Sequence, residues 1–102
     1  MSLGKEQRKF TPMVAMLILY AYQRGYELSF DDAYATEGHM EGSLHYSRLA
    51  IDLNLFKEDV YLTETSDHEF LGEFWESIGG SWGGRFSNPD GNHYSLEYQG
   101  RR

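Results

Sequence analysis

Four side chains in this sequence have types and spacings that suit hydrolysis at a divalent metal: His45, Asp52, His93 and Asp90. Asp52 is the most demanding. It stands within Ala50 to Phe56 (AIDLNLF), where Ile51, Leu53 and Leu55 alternate toward a core and Ala50, Asp52 and Asn54 point the other way. A carboxylate there needs a partner or a metal, and the small Ala50 leaves room beside it. His45 lies seven residues earlier. On one unbroken strand that odd separation would put the two on opposite faces, so they meet only if the chain bends between Tyr46 and Leu49. His93 follows the turn signal Asn88-Pro89-Asp90-Gly91. Two neutral imidazoles and one carboxylate suit zinc, with ligand bonds of ~2.0–2.2 Å and a fourth position left for water. A metal there would lower the pKa of that water toward ~7 and polarise an amide carbonyl. Asp90, three residues before His93, would serve as general base and then acid. Residue types alone leave a plainer alternative open, with His45 and His93 as partly buried histidines and Asp52 as a hydrogen-bonding residue.

The chain as a whole narrows the choices. It has 102 residues and no cysteine, so it fits one domain without disulfides, and any metal must be held by His, Asp or Glu. A net charge of −7 opposes a nucleic-acid partner and adhesion to anionic membranes. The longest apolar run, Met13 to Tyr22, is far below the ~20 residues that span a bilayer. Lys5, Arg8 and Lys9 precede it, but no small-residue cleavage site follows. It is expected to be a buried helix, with no export signal and no membrane anchor in the chain.

These side chains must be positioned by a modest set of elements. Residues 1–9 are polar and are expected to form a flexible N-terminus, leaving 10–102 as a single domain. Thr11 and Pro12 suit a helix start, and Gly25 a left-handed stop. Tyr26 to Phe30 alternates as a strand, Ala50 to Phe56 is the clearest strand, and Val60 to Thr63 returns as its hairpin partner. Ser66 with Glu69 resembles a capping box. It would open a helix burying Leu71, Phe74, Trp75 and Ile78, which Gly79-Gly80 ends. Ser81 to Gly84 is expected to be a shaped loop. His93 to Tyr98 predicts a last strand, with His93, Ser95 and Glu97 on one face. The fold class is therefore α+β: a small, mainly antiparallel sheet with helices packed on one side.

Longer stretches carry a resemblance. Residues 43–52, Ser-Leu-His-Tyr-Ser-Arg-Leu-Ala-Ile-Asp, are similar to the S-x-H-(x)6-D segment of the D-alanyl-D-alanine carboxypeptidase family, which includes VanY-type carboxypeptidases and phage L-alanyl-D-glutamate endopeptidases. Asp90-Gly91-Asn92-His93 resembles its second segment, D-x-x-H. Leu71 to Phe86 is similar to a stretch of phage members, lGxxWExlGGxWGGxF. The resemblance implies a compact zinc peptidase fold with one zinc per chain on His45, Asp52 and His93, and Asp90 as the acid/base. It implies a peptidoglycan stem peptide as substrate, cut as an L-Ala-D-Glu endopeptidase or a D-Ala-D-Ala carboxypeptidase. A phage lysin of this kind is made in the cytoplasm and acts on the bacterial wall after release. Two positions depart from the family pattern. Arg48 stands where many relatives have Gly, although phage members often share the Arg. Ala35 stands where many relatives carry an Arg that steadies the substrate carbonyl, and loss of one such donor can cost ~10²–10³ in rate. His39 or Arg48 would be its substitute. Failing that, the chain would be a weak or inactive relative that grips peptidoglycan without cutting it.

The remaining candidates divide less sharply. His39, in a Gly-flanked loop, fits a solvated residue or a substrate contact. Trp82 fits loop packing or a groove wall. Glu97 is a candidate to orient His93 from behind. His68 is expected at the surface and Trp75 in the core. Two histidines with a carboxylate also suit non-haem iron, but oxygenase sites of that kind place the carboxylate two residues after the first His rather than seven. A monomer is expected.

Overall fold

A computed structural model describes residues 2–32 and 44–102. The positions of Ala35 and His39 lie outside them. Helix α1 (Leu3–Gln23) comes first, followed by strands β1 (Glu27–Asp32), β2 (Ala50–Lys57) and β3 (Val60–Leu62). A 3₁₀ turn (Thr65–His68) leads into helix α2 (Glu69–Ser77), then β4 (Ser81–Trp82), a second 3₁₀ turn (Gly83–Arg85) and β5 (His93–Ser95). The sheet is antiparallel in every pairing, in the order β1-β2-β5-β4, with β3 pairing β2 beyond the end of β5. This is the α+β architecture expected from the order of sequence signals.

The hydrophobic alternation of β2 does what it predicts. Ile51, Leu53 and Leu55 are buried with Leu17 and Ala21 of α1, Leu71 and Trp75 of α2, and Tyr94 of β5. Asp52 pairs with His93 and Ala50 with Ser95 in the β2–β5 register, so Asp52 and His93 share the opposite face.

Helix α1 begins at Leu3, well before the Thr11-Pro12 signal, and takes in most of the residues expected to be a polar tail. Ser2 is its cap, with Oγ accepting from Lys5 N at 3.2 Å. Pro12 sits inside the helix, where it cannot donate to the preceding turn. Burial of Phe10, Met13, Leu17 and Ala21 on one face holds the helix through it. Gly25, at φ +84°, provides the expected stop.

Three shorter elements differ from their sequence signals. The reciprocal cap at the start of the second helical segment uses Glu64 and Asp67, two residues before the Ser66/Glu69 pattern. Trp82 lies in a short strand rather than an irregular loop, and β5 ends at Ser95, leaving Glu97 beyond the ladder.

Candidate metal centre

The three candidate ligands are carried by one strand, one turn and one strand end. Residues 44–48 fold into a tight turn in which Leu49 N donates to Leu44 O at 2.9 Å and Arg48 N to His45 O at 3.2 Å. This is the bend between Tyr46 and Leu49 that the odd His45–Asp52 separation requires. Arg48 closes it at φ +58°, in the left-handed region that favours glycine, which gives a physical reason for the Gly of many relatives at this place. Helix α1 braces the turn from outside: Gln7 Nε2 donates to Ser47 O at 2.9 Å, across 40 residues of sequence.

His93 is positioned by the loop before it. Asp90 N donates to Gly83 O at 2.9 Å, and His93 N to Asp90 O at 3.2 Å. A Cβ on Gly83 would collide with Asp90 O and with His93 Cβ, at 2.7 Å from the latter, so only glycine lets these segments close together. Trp82 fixes the same loop from beneath. It is 3% exposed, and its indole N–H donates to Gly91 O at 2.8 Å. Side chains on Gly72 or Gly84 would strike its ring. Trp82 is thus an internal anchor of the Asp90–His93 loop.

Three side chains converge as a result. His45 Nε2 is 3.2 Å and His93 Nδ1 3.4 Å from Asp52 Oδ1. One potential ligand atom from each residue falls within 4.8 Å of the others. His45 and His93 are buried and Asp52 is 13% exposed at its side chain. Ligand atoms ~2.1 Å from a tetrahedral ion lie roughly 3.4 Å apart, which matches the two measured separations. Despite those separations, Asp52 Oδ1 has no contact of hydrogen-bond geometry, and the buried His93 Nε2 has no partner among the described residues. Burial would raise the Asp52 pKa, but the adjacent His45 and His93 outweigh it and hold the carboxyl at about 2. An anion kept ionised between two imidazoles, with its near oxygen unsatisfied, fits a divalent cation by donor type and spacing. Phe86 packs beside the cluster, its ring centre 5.2 Å from that of His93.

The other candidates fall at different distances from this centre. Asp90 is exposed, its backbone tied to both His93 and Gly83. Arg48 is exposed on the His45 turn, and Glu97 is exposed past the end of β5. His68 is not at the surface: it is 3% exposed, with Nδ1 2.7 Å from Tyr94 Oη. The earlier cap and the 3₁₀ turn rotate it inward. Burial depresses its pKa to about 4 against the opposing pull of Asp67, while burial pushes the Tyr94 phenol far up. A neutral imidazole accepting from an un-ionised phenol satisfies both groups. Gln7 and Trp82 are the positioning residues with least signal in the sequence. The glycines around Trp82 are the available hint for the latter, and nothing local marks Gln7.

A family model described as D-alanyl-D-alanine carboxypeptidase matches residues 36–96, more than half of the chain and the stretch that contains all three converging residues and Asp90. The chain belongs to that peptidase family. No curated protein matches it. No helix among the described residues is long and apolar enough to cross a membrane.

Proposed function

We propose that this member of the D-alanyl-D-alanine carboxypeptidase family hydrolyses an amide bond in peptidoglycan stem peptides, with His45, Asp52 and His93 holding one zinc ion and Asp90 moving the proton. The observation that supports it most is the convergence of two imidazoles on one ionised, hydrogen-bond-deficient carboxylate oxygen, at separations a tetrahedral ion would impose. Zinc in such a site supplies a Lewis acid and makes water a nucleophile at neutral pH. The carboxylate of Asp90 takes a proton from the attacking water and returns it to the leaving nitrogen as the C–N bond breaks. Its backbone bonds to Gly83 and His93 tie the Asp90 loop to the start of the strand that carries His93. An L-Ala-D-Glu endopeptidase and a D-Ala-D-Ala carboxypeptidase share this chemistry. The substrate places the action at the bacterial wall.

The test is digestion of cross-linked peptidoglycan and free stem peptides by zinc-loaded protein, read by mass spectrometry. New amino termini at one bond are expected, and the masses identify the bond. Intact substrates from protein carrying its zinc would overturn the proposal. Ala35, in place of the family arginine, favours a second reading in which the chain retains walls without cutting them. Co-sedimentation with walls but no new termini would support it.

A further inference from the structure

Strands β3 and β5 both lie along the same edge of β2, β3 opposite Leu55 to Lys57 and β5 opposite Ala50 to Asp52. Between them Leu53 N donates to Asn92 O at 2.9 Å, and a notch of about 220 Å³ lies beside Leu53, Asn54 and that loop. Tyr61 and Thr63 form one wall, Thr65 and Asn92 part of another, and Asp90 stands at its rim. This volume is below the ~300–1,000 Å³ of pockets that enclose a drug-sized ligand. It suits a short piece of an extended chain.

Two features tie the notch to the metal centre. Asn54 is two residues beyond Asp52 on the same face of β2, about 6.6 Å along the strand. Its amide is oriented from both sides: Nδ2 donates to Ser29 Oγ at 3.3 Å, and Oδ1 accepts from Tyr61 Oη at 3.2 Å. That chain of contacts crosses three strands and makes a fixed polar platform leading away from the cluster. Asp90 and Asn92, which line the notch, precede His93 directly in the chain, so a peptide laid over the converging residues and past Asp90 would meet it.

The lining also selects by charge. Among the described residues that line it, Asp90 is the one with a formal charge, and no lysine or arginine contributes. Hydroxyl and amide groups accommodate an uncharged amide. A carboxylate there would lose solvent beside Asp90 with no cation to balance it.

We propose that this notch is a substrate subsite that seats an uncharged, amide-bearing part of the peptide next to the scissile bond and discriminates against a free carboxylate there. It rests on the peptidase reading above and narrows it to the endopeptidase form, since a carboxypeptidase has to accept a free carboxylate beside the bond it cuts. In the test, two stem peptides differ only in whether the carboxyl group flanking the cut is free or amidated. Wild-type protein is expected to favour the amidated peptide about tenfold, mainly through KM. Thr63→Lys, an exposed change that brings a cation to the wall, is expected to abolish or reverse that preference. Equal KM for the two peptides, or a preference unmoved in Thr63→Lys, would overturn the subsite. Calorimetric binding of the same peptides to zinc-loaded protein separates the two claims. Preferential binding without cleavage would sustain the subsite and sink the peptidase reading, whereas cleavage without preference would do the reverse.

Discussion

Strands β2 and β5 carry histidines against both of their faces, and the two faces use them in opposite ways. On the core face His68 is 3% exposed, and on the other face His93 is 6% exposed, so burial alone does not separate them. Their neighbours do. His68 meets one phenol at 2.7 Å, is neutral, and leaves Tyr94 satisfied. His93 meets a carboxylate oxygen that His45 approaches as well, and that oxygen has no hydrogen bond among the described residues. A buried histidine facing a single neutral donor is a structural residue. Two histidines aimed at one anion form a group that could hold a metal ion.

The largest effects should come from breaking the ligand face. His93→Ala is expected to take bound zinc from about one per chain to near zero and to cut peptide hydrolysis by more than ~10³-fold. Elemental analysis and a turnover assay would show both. His68→Ala should leave zinc content unchanged while costing ~1–3 kcal/mol of stability, because Tyr94 Oη loses its buried partner. If His68→Ala emptied the metal centre as fully as His93→Ala, the distinction between the faces would collapse. Chelation sharpens the same contrast. Zinc present at ~100–1,000 times its dissociation constant stabilises by ~3–4 kcal/mol, and EDTA should remove that from the wild type and not from His93→Ala.

Asp90→Asn comes next. The residue is exposed and tied into its loop by backbone, so zinc content and melting temperature should hold. Turnover should fall by ~10²–10⁴ from loss of the proposed proton carrier. A variant that retains turnover would move the acid/base role elsewhere.

The two faces should also separate by pH. His68 has a folded pKa of about 4 against 6.5 for the free group. The unfolded chain therefore binds more protons between those values. Stability is complete above pH 6.5 and declines as pH falls toward 4, by up to ~3 kcal/mol. His68→Asn, whose Oδ1 can still accept from Tyr94, should flatten that decline. The Asp52 carboxyl is lowered from 3.8 to about 2, so in metal-free protein its contribution is present above pH 3.8 and is lost as pH falls toward 2. Denaturant midpoints across pH 2–8 for the wild type and His68→Asn would resolve both windows.

Local patterns made much of this legible. The alternation in Ala50 to Phe56 placed Asp52 opposite the core, and the spacing of His45 demanded the bend that residues 44–48 supply. The legible parts are those where a period of two decides the face. His68 was misplaced because a 3₁₀ turn precedes α2 and a two-residue shift of the cap changes which side faces inward. Gln7 and the early start of α1 were missed for another reason. The residue Gln7 braces is 40 positions away, and no local pattern encodes a contact at that range. Trp82 was ambiguous since its role depends on the empty space above Gly72 and Gly84, elements apart in the chain.

The smallest expected effect tests how the ligand face is assembled. Arg48 holds a left-handed conformation at φ +58°, which costs a non-glycine residue roughly 1–2 kcal/mol. Glycine would relieve that strain and lose ~0.5–1 kcal/mol through the greater freedom of the unfolded chain. Arg48 makes side-chain or backbone contacts of its own, and part of the gain is offset if glycine gives them up. Arg48→Gly should therefore raise stability by at most ~1 kcal/mol, visible as a small increase in melting temperature, with zinc content unchanged. The kinetic outcome divides two roles. Unaltered kcat/KM makes Arg48 a residue that closes the His45 turn at some cost. A drop in kcat/KM with zinc and fold intact makes the guanidinium a substrate contact, and strain at φ +58° is then retained because the side chain does at the metal centre what no side chain of glycine can.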